Sequence, residues 1–522
     1  MKRLAAALVL VWLAGCSGQS EREPLEFKVL FAQPPCGSPR GDTSTTTVTS
    51  VSVKVFAPST DPDKEGVLEE IFSTSKSVSN SVVNIDRVPI ADKTAVVVTG
   101  DSGGTTWYGK KANVDIKKGR TTAIDLRLTR VGRLSCVTPP TDFTGRIFAG
   151  VAVMSDGRVF IGGGFDQTAG GDFVASKSAY IYNPATGEIT RVKDMIEARG
   201  MHGAIGLNDG RVLLVGGVSR AKFTANAGFP WSTTSANRHQ NLEIYDPKTD
   251  QYSERSFNNV DSFVLPAIAK MLDGSILVAG GGLSPQTATQ NALTFNPDLG
   301  GDIQQEGKLL DNFWFGASLI PYGKNSTGLT RVLLVGANTT GIYARVYQAQ
   351  SDKNFGLLET VAVTNGTLRA FSGVVGLTGK RFVIAGGFPM NGNNLAAPVD
   401  TVDVLTVTDN DDFLNLTGTL TAGGKLKDPA GFVLGHAPQG QSAVFIGGMT
   451  SLAGAVSGQV MIFDGTTMTE APNLTGDEAF LPRAFHRTAQ LLDDTVIIVG
   501  GADGTQGLFD GIETFTPQFL SR

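Results

Sequence analysis

The stretch DGRVLLVGG, Asp209 to Gly217, decides the fold, because close copies of it return along the chain. Each is a short apolar run that ends in a pair of glycines, except that the fourth has Ala337 for the second glycine. Aligned on the second glycine, the copies are DGRVFIGGG (Gly164), DGRVLLVGG (Gly217), DGSILVAGG (Gly281), TRVLLVGA (Ala337), GKRFVIAGG (Gly387), QSAVFIGG (Gly448) and DDTVIIVGG (Gly501). Successive spacings are 53, 64, 56, 50, 61 and 53 residues. Runs of this length read as buried strands. The glycine pair allows positive φ and close approach where a strand leaves a crowded centre.

Other parts recur with the glycines. An alternating strand precedes the turn, as in RGMHGAIGLNDG before Arg211. A second motif follows: Ile181-Tyr182-Asn183-Pro184, Ile244-Tyr245-Asp246-Pro247, Thr294-Phe295-Asn296-Pro297, Ile462-Phe463-Asp464-Gly465 and Thr514-Phe515-Thr516-Pro517. Its aromatic residue suits packing between neighbouring repeats, and the Asx-Pro turn ends the strand. The fourth and fifth copies lack it, with Val346-Tyr347-Gln348 and Val404-Leu405-Thr406 in its place.

Periods near fifty with four strands apiece resemble the kelch and galactose-oxidase-like β-propellers, over about 380 residues. Seven copies imply seven blades. The last copy stops soon after its third strand, so GRLSCVTP (Gly132 to Pro139) is expected to supply the missing outer strand and close the ring.

Composition agrees with an all-β chain. Glycine numbers 64 of 522 residues, spread beside Val, Ile and Leu runs, which suggests many strands and tight turns. Charged residues make up 18% and the net charge is −5, which argues against a nucleic-acid binder held by phosphate contacts.

The first fifteen residues carry Lys2 and Arg3 and then an apolar core from Leu4 to Leu13, the pattern of an export signal too short to span a bilayer. Leu13-Ala14-Gly15-Cys16 resembles the bacterial lipobox. That resemblance implies lipidation of Cys16 with acyl chains such as palmitate. With Ser17 after it, it also implies attachment to the outer membrane of a Gram-negative bacterium, on its periplasmic or cell-surface face. Residues 16–24 are expected to be a tether.

Residues 25–131 alternate β-branched and polar residues in TTTVTSVSVKVFAP, KTAVVVTG, KANVDIKKG and TTAIDLRLTRV, which fits a small β-sandwich. Its rhythm, with the Val88-Pro89 turn, resembles transthyretin-like or carboxypeptidase-regulatory-like modules, usually spacers. The propeller is expected over 132–522, with 132–139 as the closing strand. Cys36 and Cys136 are the two cysteines left after Cys16, and in an oxidising compartment one pairing exists for them. A bridge would tie the sandwich to the ring. Two further patterns read as turns: the single Asp-box-like run Thr99 to Trp107, and Asp61, Asp63 and Glu65, whose twelfth position is Phe72 where a calcium loop needs glutamate.

No complete catalytic constellation is present. The repeats hold no cysteine to cross-link with tyrosine as galactose-oxidase-like copper enzymes require, so neither a cofactor nor a metal is expected. His202 and His486 share a repeat position, fifteen residues before the second glycine, as repeat geometry would have it. Arg146, Arg199, Arg369 and Arg483 each lie eighteen residues before theirs. In kelch adaptor proteins arginines at this place line an acidic-peptide pocket, so the resemblance implies a partial cationic ring suited to carboxylates. The other reading gives each arginine a structural partner such as Asp194 or Glu197. A second candidate surface is the long loop after Gly217 with Phe229, Pro230 and Trp231, where an exposed tryptophan would serve as a contact residue or else anchor its own loop. The expectation is a non-enzymatic outer-membrane lipoprotein that binds a protein or glycan. The alternatives are an exported galactose-oxidase-like or sialidase-like enzyme and a structural envelope component.

Overall fold

The structure, a computed structural model, describes residues 21–36, 48–61, 67–167, 172–260, 262–283, 287–297, 303–310, 314–338, 340–349, 356–410, 413–438 and 440–521. Cys16 and the expected signal segment lie outside the described residues, as do Asp63 and Glu65. The fold is all-β.

The first seven strands form one sheet, in the order Leu68–Ser77, Ser50–Pro58, Ala91–Ser102, Thr105–Ile116, Thr122–Arg130, Arg22–Phe31 and Val82–Pro89. Arg22–Phe31 runs parallel to Thr122–Arg130. The sheet curls over a single core that includes Leu25, Phe27, Val53, Val55, Ile85, Val96, Trp107 and Leu128, and its two edge strands approach one another. The expected tether runs too far: Arg22, Glu23 and Pro24 are already in the first strand. Only every second residue of that strand is buried, so its exposed start carries the charged residues of a linker. The Asp-box-like run is a hairpin turn, with Gly103 and Gly104 at positive φ and Trp107 buried beneath.

Among the described residues seven four-stranded antiparallel units follow, two of them within one eight-stranded sheet. The second is representative: Gly203–Gly206, Val212–Val215, Asn241–Asp246 and Gln251–Ser256, hydrogen-bonded in that order. Its second strand is apolar throughout because both faces are buried. Val212 and Leu214 pack against Phe160 and Ile181 of the first unit. Leu213 and Val215 pack against Ile276, Val278 and Phe295 of the third. Tyr245 of the aromatic motif lies 5.3 Å from the ring of Phe160, between units. The fourth and fifth units merge into an eight-stranded sheet through a parallel pairing of Leu357–Val363 with Thr417–Lys425.

The seventh unit contains Arg487–Gln490, Val496–Val499 and Ile512–Thr516, and its outermost strand is Arg133–Val137. Cys136 on that strand is bonded to Cys36, as expected, with the two Cα atoms 4.7 Å apart. Ion pairs reinforce the join. Arg130 donates to both carboxylate oxygens of Glu478 at 2.7 and 3.0 Å, and Lys110 pairs with Asp494 at 2.8 Å.

Successive units are interlocked by one repeated hydrogen bond. The second glycine of a unit donates its N–H to the carbonyl that precedes the next unit's inner strand: Gly164 to Arg199, Gly217 to Phe263, Gly281 to Trp314, Gly387 to Ala430, Gly448 to Arg483 and Gly501 to Arg146. Gly217 must be glycine twice over. Its φ is +91°, and a Cβ there would meet the Gly200 carbonyl oxygen at 2.7 Å.

Candidate functional site

The four arginines do not line an open mouth. Arg146, Arg199, Arg369 and Arg483 are at most 4% exposed. Arg199 donates to Glu243 at 2.6 Å, to the Gly216 carbonyl at 2.6 Å and to Asn241 Oδ1 at 3.0 Å. Glu243 is completed by the N–H groups of Ile196 and Glu197 at 2.9 Å. Arg369 pairs with Asp403 at 2.5 Å, and Arg483 with Glu513. Arg146, with no carboxylate partner among the described residues, donates to Ser178 Oγ and the Gly163 carbonyl and lies 4.3 Å from the Phe143 ring. Burial pulls the Arg146 and Arg483 guanidiniums below their ordinary range. Arg199, Arg369 and Arg483 thus tie the start of an inner strand to the third strand of their own unit, and Arg146 ties it to the turn before that strand. This corrects the expected cationic ring. The structural alternative fits, though with partners other than Asp194, which pairs with Arg191, or Glu197, which supplies only its backbone.

Two residues beyond these positions the backbone turns left-handed in every unit, at Phe148, Met201, Leu265, Gly316, Phe371, Phe432 and Phe485, with φ between 49° and 61°. Six of them are not glycine, which costs free energy unless the surroundings enforce it. The enforcement is a chain of hydrogen bonds between units: Met201 N–H to the Phe148 carbonyl, Leu265 to Met201, Phe371 to Gly316, Phe432 to Phe371 and Phe148 to Phe485. Their side chains make an apolar collar. Phe371 stacks on Phe432 at 4.2 Å, and Phe485 lies 5.1 Å from Phe432 and 5.0 Å from Phe148.

Trp231 closes this collar. It is 4% exposed, with its ring 5.0 to 5.3 Å from those of Phe148, Phe173, Phe223 and Phe485. The expectation of an exposed contact residue is corrected, and the loop-anchoring alternative holds. The loops of the first two units build a small sheet over the collar from Phe165–Gln167, Asp172–Ala175, Arg220–Phe223 and Trp231–Ser232. The second unit's loop then crosses the mouth, with the Asn226 N–H on the Leu452 carbonyl.

The accessible site lies beside that lid. Two adjoining cavities of about 260 and 340 Å³ run between the loops of the second and third units and share Arg238, Val264 and Thr287. Phe229, Trp231 and Leu283 form the apolar end. Ser262, Asn291 and Lys308 form the polar end. No carboxylate lines either cavity among the described residues.

His202 and His486 fill equivalent spaces between units, 3% and 2% exposed, and burial holds both rings neutral. His436 bonds to Thr488 and His239 to the Ala198 carbonyl. Among the described residues no three metal-ligating side chains are grouped to hold an ion.

No protein-family model matches the chain, and no curated protein matches it. A solved structure titled "Structure of YjhT" is similar at 15% identity, covering 64% of this chain and 99% of that one, with a TM-score of 0.40.

Proposed function

We propose that this chain is an exported, lipid-anchored binding protein whose ligand enters the groove between the loops of the second and third units. The groove is the observation that carries the reading: it is open and half apolar, and it lies on a rigid scaffold beside loops longer than their repeat equivalents. The seven units, with the interlock running back from Gly501 to Arg146, support a seven-bladed kelch-type propeller. The amino-terminal sheet, tied on by Cys36–Cys136, serves as its stalk in the manner of a β-sandwich spacer. Acylated Cys16 places the protein on the outer membrane. The ligand is a protein or a glycan, and binding involves no cofactor and no chemical step. Retention of envelope proteins and glycans on immobilised protein, compared between wild type and Arg238→Gln, tests this. Ligand lost by the variant supports the groove, and undiminished retention contradicts it. Turnover of galactose-type alcohols or sialosides by the purified protein would contradict the non-enzymatic reading.

A further inference from the structure

The third unit departs from the second at the groove. Where the second unit has Arg199 and Glu243, the third has Phe263 and Leu293, both at most 1% exposed. The ion pair is replaced by an apolar pair. Asn241 of the second unit accepts from Arg199 through its amide oxygen and donates its amide N–H to Glu254, but its counterpart Asn291 has no such partners among the described residues. Asn291 is 8% exposed, borders the groove, and its side chain makes no hydrogen bond among the described residues. Ser262, 6% exposed on the same wall, is in the same position. Arg238 has no ion pair among the described residues either, and its Nε is buried without a hydrogen-bond partner there. Lys308 is exposed at the rim on the strand paired with Asn291.

These groups define a ligand. A half-buried guanidinium in a groove that no carboxylate lines among the described residues calls for an anion, and its fork matches an oxyanion. Idle amide and hydroxyl groups match the hydroxyls of a sugar, and Phe229 with the edge of Trp231 offers an apolar face. We propose that the groove binds an anionic glycan, with the carboxylate or sulfate on Arg238 and Lys308 and ring hydroxyls on Asn291 and Ser262. The proposal rests on the reading of the groove as the binding site.

Isothermal titration of the mature chain tests it, with oligogalacturonate as the carboxylate probe, its methyl ester as the neutral control and a sulfated carrageenan oligosaccharide as the second anion. The expected result is binding of at least one anionic probe. The ester is then weaker by about tenfold or more, and Arg238→Gln loses about tenfold at an unchanged melting temperature. Lys308→Ala, at an exposed position that folding does not need, reduces the salt dependence of binding. Preference for one anionic probe over the other identifies the ligand's charged group. Equal binding of the ester, or of Arg238→Gln, overturns the anionic class while leaving the groove as a binding site. Absence of binding by every probe overturns the glycan proposal, and envelope retention that still depends on Arg238 then shows that the broader reading survives it.

Discussion

The N–H of Gly501 donates to the carbonyl of Arg146 at 2.9 Å and returns the chain's last unit to its first. The same bond joins five other successive pairs of units. The arginine side chain points away from this backbone link into its own unit, and that separates scaffold from recognition. What most units share holds the ring, and what the third unit lacks leaves polar groups unpaired, among the described residues, beside a cavity.

The buried pair Arg199–Glu243 is expected to be structural. Arg199→Met leaves Glu243 buried without its cation and costs about 3–5 kcal/mol in urea unfolding. The double change Arg199→Phe with Glu243→Leu copies the third unit and costs much less than the single change. A double change as damaging as the single one contradicts the exchange of an ion pair for an apolar pair.

Trp231→Ala removes the plug from the aromatic collar. Large-to-small changes at such sites cost about 3–5 kcal/mol. The lowered stability is expected together with greater proteolysis of the loop from 219 to 238. An unchanged cleavage rate contradicts the anchoring role.

Reducing Cys36–Cys136, or replacing both residues by serine, is expected to lower stability by about 2–5 kcal/mol. Unfolding midpoints with and without reductant report it. The ion pairs Arg130–Glu478 and Lys110–Asp494 keep the amino-terminal sheet docked near its native position. An unchanged midpoint contradicts the bridge.

The buried His202 and His486, with the half-buried His436, make the fold acid-sensitive. Burial and the nearby Arg199 hold His202 well below the ordinary range, burial lowers His436 to about 4, and burial with Arg483 lowers His486 to about 3. In the unfolded chain each titrates near ~6.5. Below that pH the unfolded chain takes up protons that the folded one refuses, so stability falls as pH drops from about 6.5 toward 4 and is unaffected above 7. His486→Gln is expected to flatten the slope of unfolding midpoint against pH. A midpoint constant from pH 7 to 5 contradicts this account.

Much of the scaffold was legible because glycine pairs and aromatic motifs recur at short range. The cysteine pairing was legible because two cysteines remained after Cys16. The fate of the arginines was not. Their carboxylates, Glu243, Asp403 and Glu513, lie beyond loops of different length, so no fixed spacing links the pairs. Counting back from Ala337 also points to Leu319, whereas the backbone puts Trp314 in the arginine's place, because the strand Phe315–Lys324 carries irregularities in its pairing. The groove had one signal in the sequence, the replacement of both ion-pair residues in the third unit. That signal has meaning only once Phe263 and Leu293 are known to face each other's positions across the repeat.

Hydrogen–deuterium exchange of the mature chain with and without oligogalacturonate tests the central claim most directly. Protection confined to segments 229–240, 262–264 and 287–291 is the predicted result. Protection at 146–148 and 483–487 instead would contradict it, because recognition would then belong to the arginine positions assigned here to the scaffold.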